Sequence, residues 1–154
     1  MKPGSFIQHI LKNIATLGFI GYIPYAPGTF GTLIGLIFFL LLKPSLSLHL
    51  IILVFIISLG IYASSAAEKI LDQKDSSKIV IDEFAGFLVS VLYLPNAQSL
   101  LLPAFLLFRF FDIIKPLGIR KLERTLTNGT GIMADDILAG IYTNILLQLW
   151  IKIF

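Results

Sequence analysis

Charge is confined to a few short stretches of this chain, and that confinement limits the available folds more than any other feature. No Asp, Glu, Lys or Arg occurs from Asn13 to Leu42, from Pro44 to Ala67, from Phe84 to Phe108, or from Ile137 to Ile151. With 56% hydrophobic and 14% charged residues over 154 positions, the chain is more apolar than soluble domains, whose shares are roughly 45–50% and about 25%. The bilayer is the expected solvent, and the charge-free stretches are the expected membrane segments. The first contains the turn-forming run Gly21 to Gly28, which divides an interfacial helix from about Ser5 from a spanning helix over Pro27 to Lys43, with Pro27 suited to a helix start. Leu50 to Ala67 is the second expected span, and Ile132 to Phe154 the last, with Tyr142 and Trp150 as interfacial anchors.

The third stretch is interrupted by Leu94-Pro-Asn-Ala97, which allows either one kinked span or a hairpin of two short helices. A single crossing would put Lys69, Lys74 and Lys78 across the membrane from Arg109, Lys115, Arg120, Lys121 and Arg124, a division that the positive-inside rule disfavours. The hairpin places all eight on one face, leaves Lys43 and Lys152 beyond the other, and makes the shared face cytoplasmic. It also gathers every acid, from Glu68 to Asp136, at that face. The expected fold is therefore all-α: a polytopic membrane helical bundle with a short helical hairpin around Pro95 and an N-terminal interfacial helix. Residues 1–154 are expected to form a single membrane-embedded domain. No small-residue cleavage site follows Lys2 and Lys12, so no removable signal peptide is expected. A net charge of +3 suits an anionic lipid surface better than nucleic acid, which calls for a basic stripe.

Two acid pairs carry the chemistry. Asp82-Glu83 and Asp135-Asp136 each stand at the expected start of an apolar helix, and a carboxylate at a membrane boundary requires a partner. Paired acids offer the hard oxygens that Mg²⁺ takes together with waters and substrate phosphate. The segments also match: Asp82 is followed four residues later by Gly86, and Asp136 by Gly140. That spacing sets acid and glycine on one helix face, so close helix approach would let the acids converge on one ion. The plainer alternative is that the acids only pair with nearby Lys and Arg.

Between the pairs, Arg109 and Asp112 share a helical face in Phe108-Arg-Phe-Phe-Asp-Ile-Ile-Lys-Pro116, followed by Arg120, Lys121 and Arg124. Guanidinium and ammonium groups there suit a phosphate, or else serve only as a positive-inside anchor. Two glycine-bearing loops, Ala26 to Thr32 and Asn128 to Met133, lead into expected helix N-termini, where free backbone N–H groups bind anions. The chain has no cysteine, which excludes disulfides, thiolate metal sites and a thiophosphate intermediate. His9 and His49 lie away from the acids, and no Asp-x-Asp suggests an aspartyl-phosphate. Metal-activated water is the chemistry left for removing a phosphate.

These residues resemble the bacterial phosphatidylglycerophosphatase A family. The resemblance is carried by Ala26-Pro-Gly-Thr-Phe-Gly-Thr32, Ile79-Val-Ile-Asp-Glu-Phe-Ala-Gly86, Phe108 to Pro116, and Gly131-Ile-Met-Ala-Asp-Asp-Ile-Leu-Ala-Gly140, in the family's order. Three positions depart from it: Gly118 stands where a second proline is usual, Glu123 where Asp is frequent, and Asn128 where glycine is expected. The resemblance implies Mg²⁺-dependent hydrolysis of phosphatidylglycerol phosphate to phosphatidylglycerol and inorganic phosphate. It further implies a bacterial inner-membrane, multi-pass enzyme with its active site facing the cytoplasm. On this reading Asp82, Glu83, Asp135 and Asp136 hold Mg²⁺, and Asp112 is a further ligand or the base for water. Arg109, Lys115 and Arg120 bind the terminal phosphate, helped by N–H groups near Thr29 and Thr32. The rival readings are a small ion or solute transporter using the acidic cluster, and a CDP-alcohol phosphotransferase, whose spaced Asp-Gly to Asp signature is missing.

Overall fold

The computed structural model describes residues 3–95, 97–116, 118–119 and 125–153, and every regular element among them is a helix. They are α1 (Pro3–Ala15), a 3-10 turn (Ile20–Tyr22), α2 (Pro27–Leu42), α3 (Leu46–Leu71), α4 (Ile81–Ser90), α5 (Ala97–Ile114) and α6 (Asn128–Ile153). Two of these, α3 and α6, are long and apolar enough to cross a membrane. Each has 26 residues, roughly 39 Å at ~1.5 Å per residue, against a hydrocarbon core of ~30 Å. α2 is a shorter apolar helix.

Local chemistry sets the boundaries. Pro27 occupies the first turn of α2, where its missing N–H is no loss. Ser45 caps α3 by accepting a hydrogen bond from Leu48 N at 3.4 Å. Lys43 and Asp72 end α2 and α3 in left-handed conformations. The start of α1 falls at Pro3, close to the expected Ser5. It is amphipathic, with Leu11 and Ile14 packed inward and Phe6, Ile7 and Ile10 facing outward.

α4 is the centre of the arrangement. It packs most extensively on α6 and also contacts α2, α3 and α5, and nine of its ten residues are buried. The chain reverses after it, as expected from Pro95: Glu83 at the start of α4 lies beside Arg109 near the end of α5. At ten residues, α4 is roughly 15 Å long and ends halfway into the bundle. Its last carbonyls would be orphaned there, but Asn144 Nδ2 of α6 donates to Ser90 O at 3.1 Å and Leu92 O at 2.6 Å.

One boundary differs from the sequence reading in a way that matters. α6 begins at Asn128 and not near Ile132, so Asp135 and Asp136 stand two turns inside the helix and do not open it. The run read as a glycine loop is helical, and its Gly129 admits a neighbouring helix. A Cβ at Gly129 would overlap Ile61 O of α3, and Gly129 N donates to Ser65 Oγ at 3.0 Å. Gly28 and Gly31 likewise belong to α2 itself, and Gly31 packs on Val80.

Candidate active site

The matching glycines meet. Gly86 of α4 admits the Phe108 ring and the Asp136 carbonyl, and Gly140 of α6 lies on Gly86 O. Because each glycine follows an acid by four residues, this crossing carries Asp82 and Asp136 to the same place. Oxygen atoms of Asp82, Glu83 and Asp136 all lie within 4.8 Å of one another. Asp82 is 8% exposed and Asp136 3%, and the buried atoms Asp136 Oδ1 and Glu83 Oε2 have no hydrogen-bond partner. Three converging carboxylates with orphaned buried oxygens leave negative charge uncompensated, and a hard divalent cation would satisfy it. The donor set therefore fits Mg²⁺.

The leading aspartates of the two pairs are held in the same way. Asp82 Oδ1 accepts from Glu83 N, and Asp135 Oδ1 from Asp136 N, both at 3.1 Å. The pairs then diverge. Asp135 lies outside the three-acid group, and its Oδ2 accepts from Lys115 Nζ at 2.6 Å. Lys115 takes up that position because it ends α5 in a left-handed conformation, with its amide bonded to Phe111 O.

Arg109 joins three helices. Its guanidinium pairs with Asp112 Oδ2 at 2.5 Å and lies 3.8 Å from Glu83 Oε1. It also donates to Thr32 Oγ1 at 3.5 Å, while Thr32 Oγ1 donates to Gly28 O at 2.9 Å. A Cβ at Gly28 would overlap the Glu83 carboxylate and crowd Arg109, so any larger residue there would displace these two side chains. The α2 N-terminus thus abuts the cluster, with Thr29 half-buried on its first turn. The charge of Asp112 acts on Glu83, Asp135 and Asp136.

Of the residues singled out in the sequence, Asp82, Glu83, Asp112, Asp136, Arg109, Thr29 and Thr32 gather around this point. Asp135 and Lys115 form a neighbouring pair, and Arg120 lies outside the described residues, as do Lys121, Glu123 and Arg124. Sequence reading missed Asn144 and Ser65, although an amide in the apolar half of a helix is itself a signal of an inward-facing partner.

The family model for phosphatidylglycerophosphatase A matches residues 13–151. A Haemophilus influenzae phosphatidylglycerophosphatase A is 40% identical over 124 residues, covering 78% of this chain and 75% of the relative. The Escherichia coli protein of the same name is 34% identical over 116 residues, 74% of this chain and 67% of its own length. A Bacteroides thetaiotaomicron protein, provisionally named a phosphatidylinositol-3-phosphatase, is 42% identical over 91 residues. That match spans 57% of this chain and 56% of the relative. No solved structure matches. The comparisons lend nothing to a transporter, and the matched region takes in the α4 acids, the Arg109 segment and the α6 acids. The chain belongs to the phosphatidylglycerophosphatase A family of phosphatases.

Proposed function

We propose that this protein hydrolyses phosphatidylglycerol phosphate to phosphatidylglycerol and inorganic phosphate with Mg²⁺ held by Asp82, Glu83 and Asp136. The observation that carries the reading is the convergence of these three carboxylates, with orphaned buried oxygens, beside the Arg109 guanidinium. When bound, the ion supplies a Lewis acid for the phosphoryl oxygens and lowers the pKa of water. Arg109 and the free N–H groups of the α2 N-terminus bind the phosphate, with Thr32 fixing the guanidinium. A water oxygen bonds to phosphorus as the P–O bond to the head-group glycerol breaks. Asp112 takes the water's proton, and the departing alkoxide is protonated from solvent. On this reading the Lys115–Asp135 pair positions the segment that carries Asp136.

The same reading makes the protein a multi-pass bundle of one domain, in the inner membrane, with the site facing the cytoplasm. Lys12, Lys69 and Arg109 lie toward the cluster end of their helices, Lys74 and Lys78 in the turn before α4 and Lys115 just after α5, whereas Lys43 follows the far end of α2 and Lys152 lies at the far end of α6. That asymmetry favours a cytoplasmic cluster. Acyl chains would then stay in the bilayer while the head group bends to the boundary.

Phosphate release from phosphatidylglycerol phosphate in mixed micelles, with and without EDTA, tests the assignment. Release that EDTA stops and Mg²⁺ restores is the expected result. Release that persists in EDTA overturns the metal, and absence of release under all conditions overturns the substrate.

A further inference from the structure

A cleft of about 380 Å³ opens beside the acidic cluster, between the end of α3, the turn that follows it and the start of α6. Its size falls at the lower end of the roughly 300–1,000 Å³ typical of small-molecule sites. The Lys115–Asp135 pair forms the wall it shares with the cluster, since Asp135 lines the cleft and Asp136 belongs to the three-acid group. Ile113 and Ile132 give it an apolar side, and Glu68 and Asn128 a polar one.

We infer that this cleft holds the glycerol of the lipid head group, with Glu68 and Asn128 hydrogen-bonding its one free hydroxyl in the substrate and both hydroxyls in the product, so that these two residues set head-group specificity. The inference rests on the reading of the neighbouring cluster as the phosphate site. Among the described lining residues the charges favour a neutral hydroxylated guest over a second phosphate: Glu68, Asp75 and Asp135 stand with Lys74 and Lys115, an excess of one negative charge. A carboxylate accepts from a hydroxyl, and a carboxamide both donates and accepts, so this pair can satisfy the one free hydroxyl of the substrate's glycerol and the diol of the product. Asn128 is informative for a second reason. Its φ is 59°, a conformation that glycine adopts without strain and that asparagine tolerates. Glycine is the residue the family resemblance leads one to expect there, and this chain instead places a carboxamide on the cleft.

The two substitutions that test this leave the backbone in place. Asn128→Gly removes the amide and keeps the left-handed turn. Glu68→Gln removes the charge and keeps the oxygen that accepts from Asp75 N at 2.9 Å. Native mass spectrometry of the whole protein, with equimolar phosphatidylglycerol and phosphatidylethanol, reads binding without turnover. The two lipids share the phosphodiester, and only the first carries the diol. Wild type should favour phosphatidylglycerol by roughly threefold to tenfold, the factor that one hydrogen bond contributes. Each variant should lose most of that preference and raise KM for phosphatidylglycerol phosphate. Equal binding by wild type, or a preference intact in both variants, overturns the inference. A protein that prefers phosphatidylglycerol yet releases no phosphate keeps the cleft and overturns the phosphatase reading instead.

Discussion

Gly140 of α6 rests directly on the carbonyl of Gly86 in α4, with Val89 beside it. This contact is what allows Asp82 and Asp136 to share one site, because each acid precedes its glycine by one helical turn. Gly140→Ala sets two effects against each other. Alanine is the better helix former by about 1 kcal/mol, but its methyl would meet backbone, which cannot rotate away as a side chain can. Overpacking of this kind costs typically 1–3 kcal/mol, so the clash should win. The variant should unfold at lower temperature in detergent and lose at least roughly tenfold in phosphate release. An unchanged melting temperature with full activity would mean that the crossing is not where the structure puts it.

Asp136→Asn tests the cluster itself. The substitution keeps the shape and removes one negative charge from a place where three carboxylates converge. The folded protein should therefore be as stable as wild type, or more so in EDTA, since like charges no longer repel. Phosphate release should fall by at least roughly 100-fold, on the scale of losing one preorganised electrostatic group. Added Mg²⁺ should raise the melting temperature of wild type and not of the variant. Retained activity in both Asp136→Asn and Asp82→Asn would sink the proposed site.

The helices, the reversal near Pro95 and the approach of Asp82 to Asp136 were legible because each leaves a local mark in sequence: a charge-free run, a proline, an acid four residues before a glycine. The start of α6 was not legible. Gly129 and Gly131 look like loop residues from composition, and only the α3 carbonyl pressed against Gly129 explains why they are helical. Asp135 and Asp136 were indistinguishable in sequence for a similar reason. Adjacent residues on a helix point about 100° apart, so one turns to α4 and the other to Lys115, and the direction of each depends on which neighbour packs there.

The Lys115–Asp135 pair separates two roles for the lysine. If Lys115 acts by holding Asp135, the two substitutions Lys115→Met and Asp135→Asn should not add. Lys115→Met leaves the Asp135 carboxylate, 10% exposed, without this cation, Asp135→Asn removes the charge that Lys115 faces, and each should destabilise by about 1–3 kcal/mol. The double variant should recover part of that, with a coupling of ~1 kcal/mol or more in thermal unfolding. A lysine that instead binds substrate phosphate directly would raise KM equally in both backgrounds and show no coupling in stability.

Asn144 should prove as important to the fold as any core residue, although it lies far along α6 from the acids. Its amide donates to Ser90 O and Leu92 O, the acceptors left unpaired where α4 stops inside the bundle. The site is part-buried against α4, so losing the amide leaves two carbonyls short of a donor. Asn144→Leu, close in volume and without a donor, should destabilise by about 1–3 kcal/mol for each carbonyl left unpaired. Asn144→Asp probes the direction of the bonds, because an ionised carboxylate offers acceptors to groups that are themselves acceptors. It should be worse than leucine at neutral pH and recover in part in acid, where the protonated side chain can again donate one hydrogen bond. The unfolding temperature of the three proteins across pH reads this directly. If leucine were tolerated without loss, α4 would be held by its packing on the neighbouring helices without the amide, which would then be incidental.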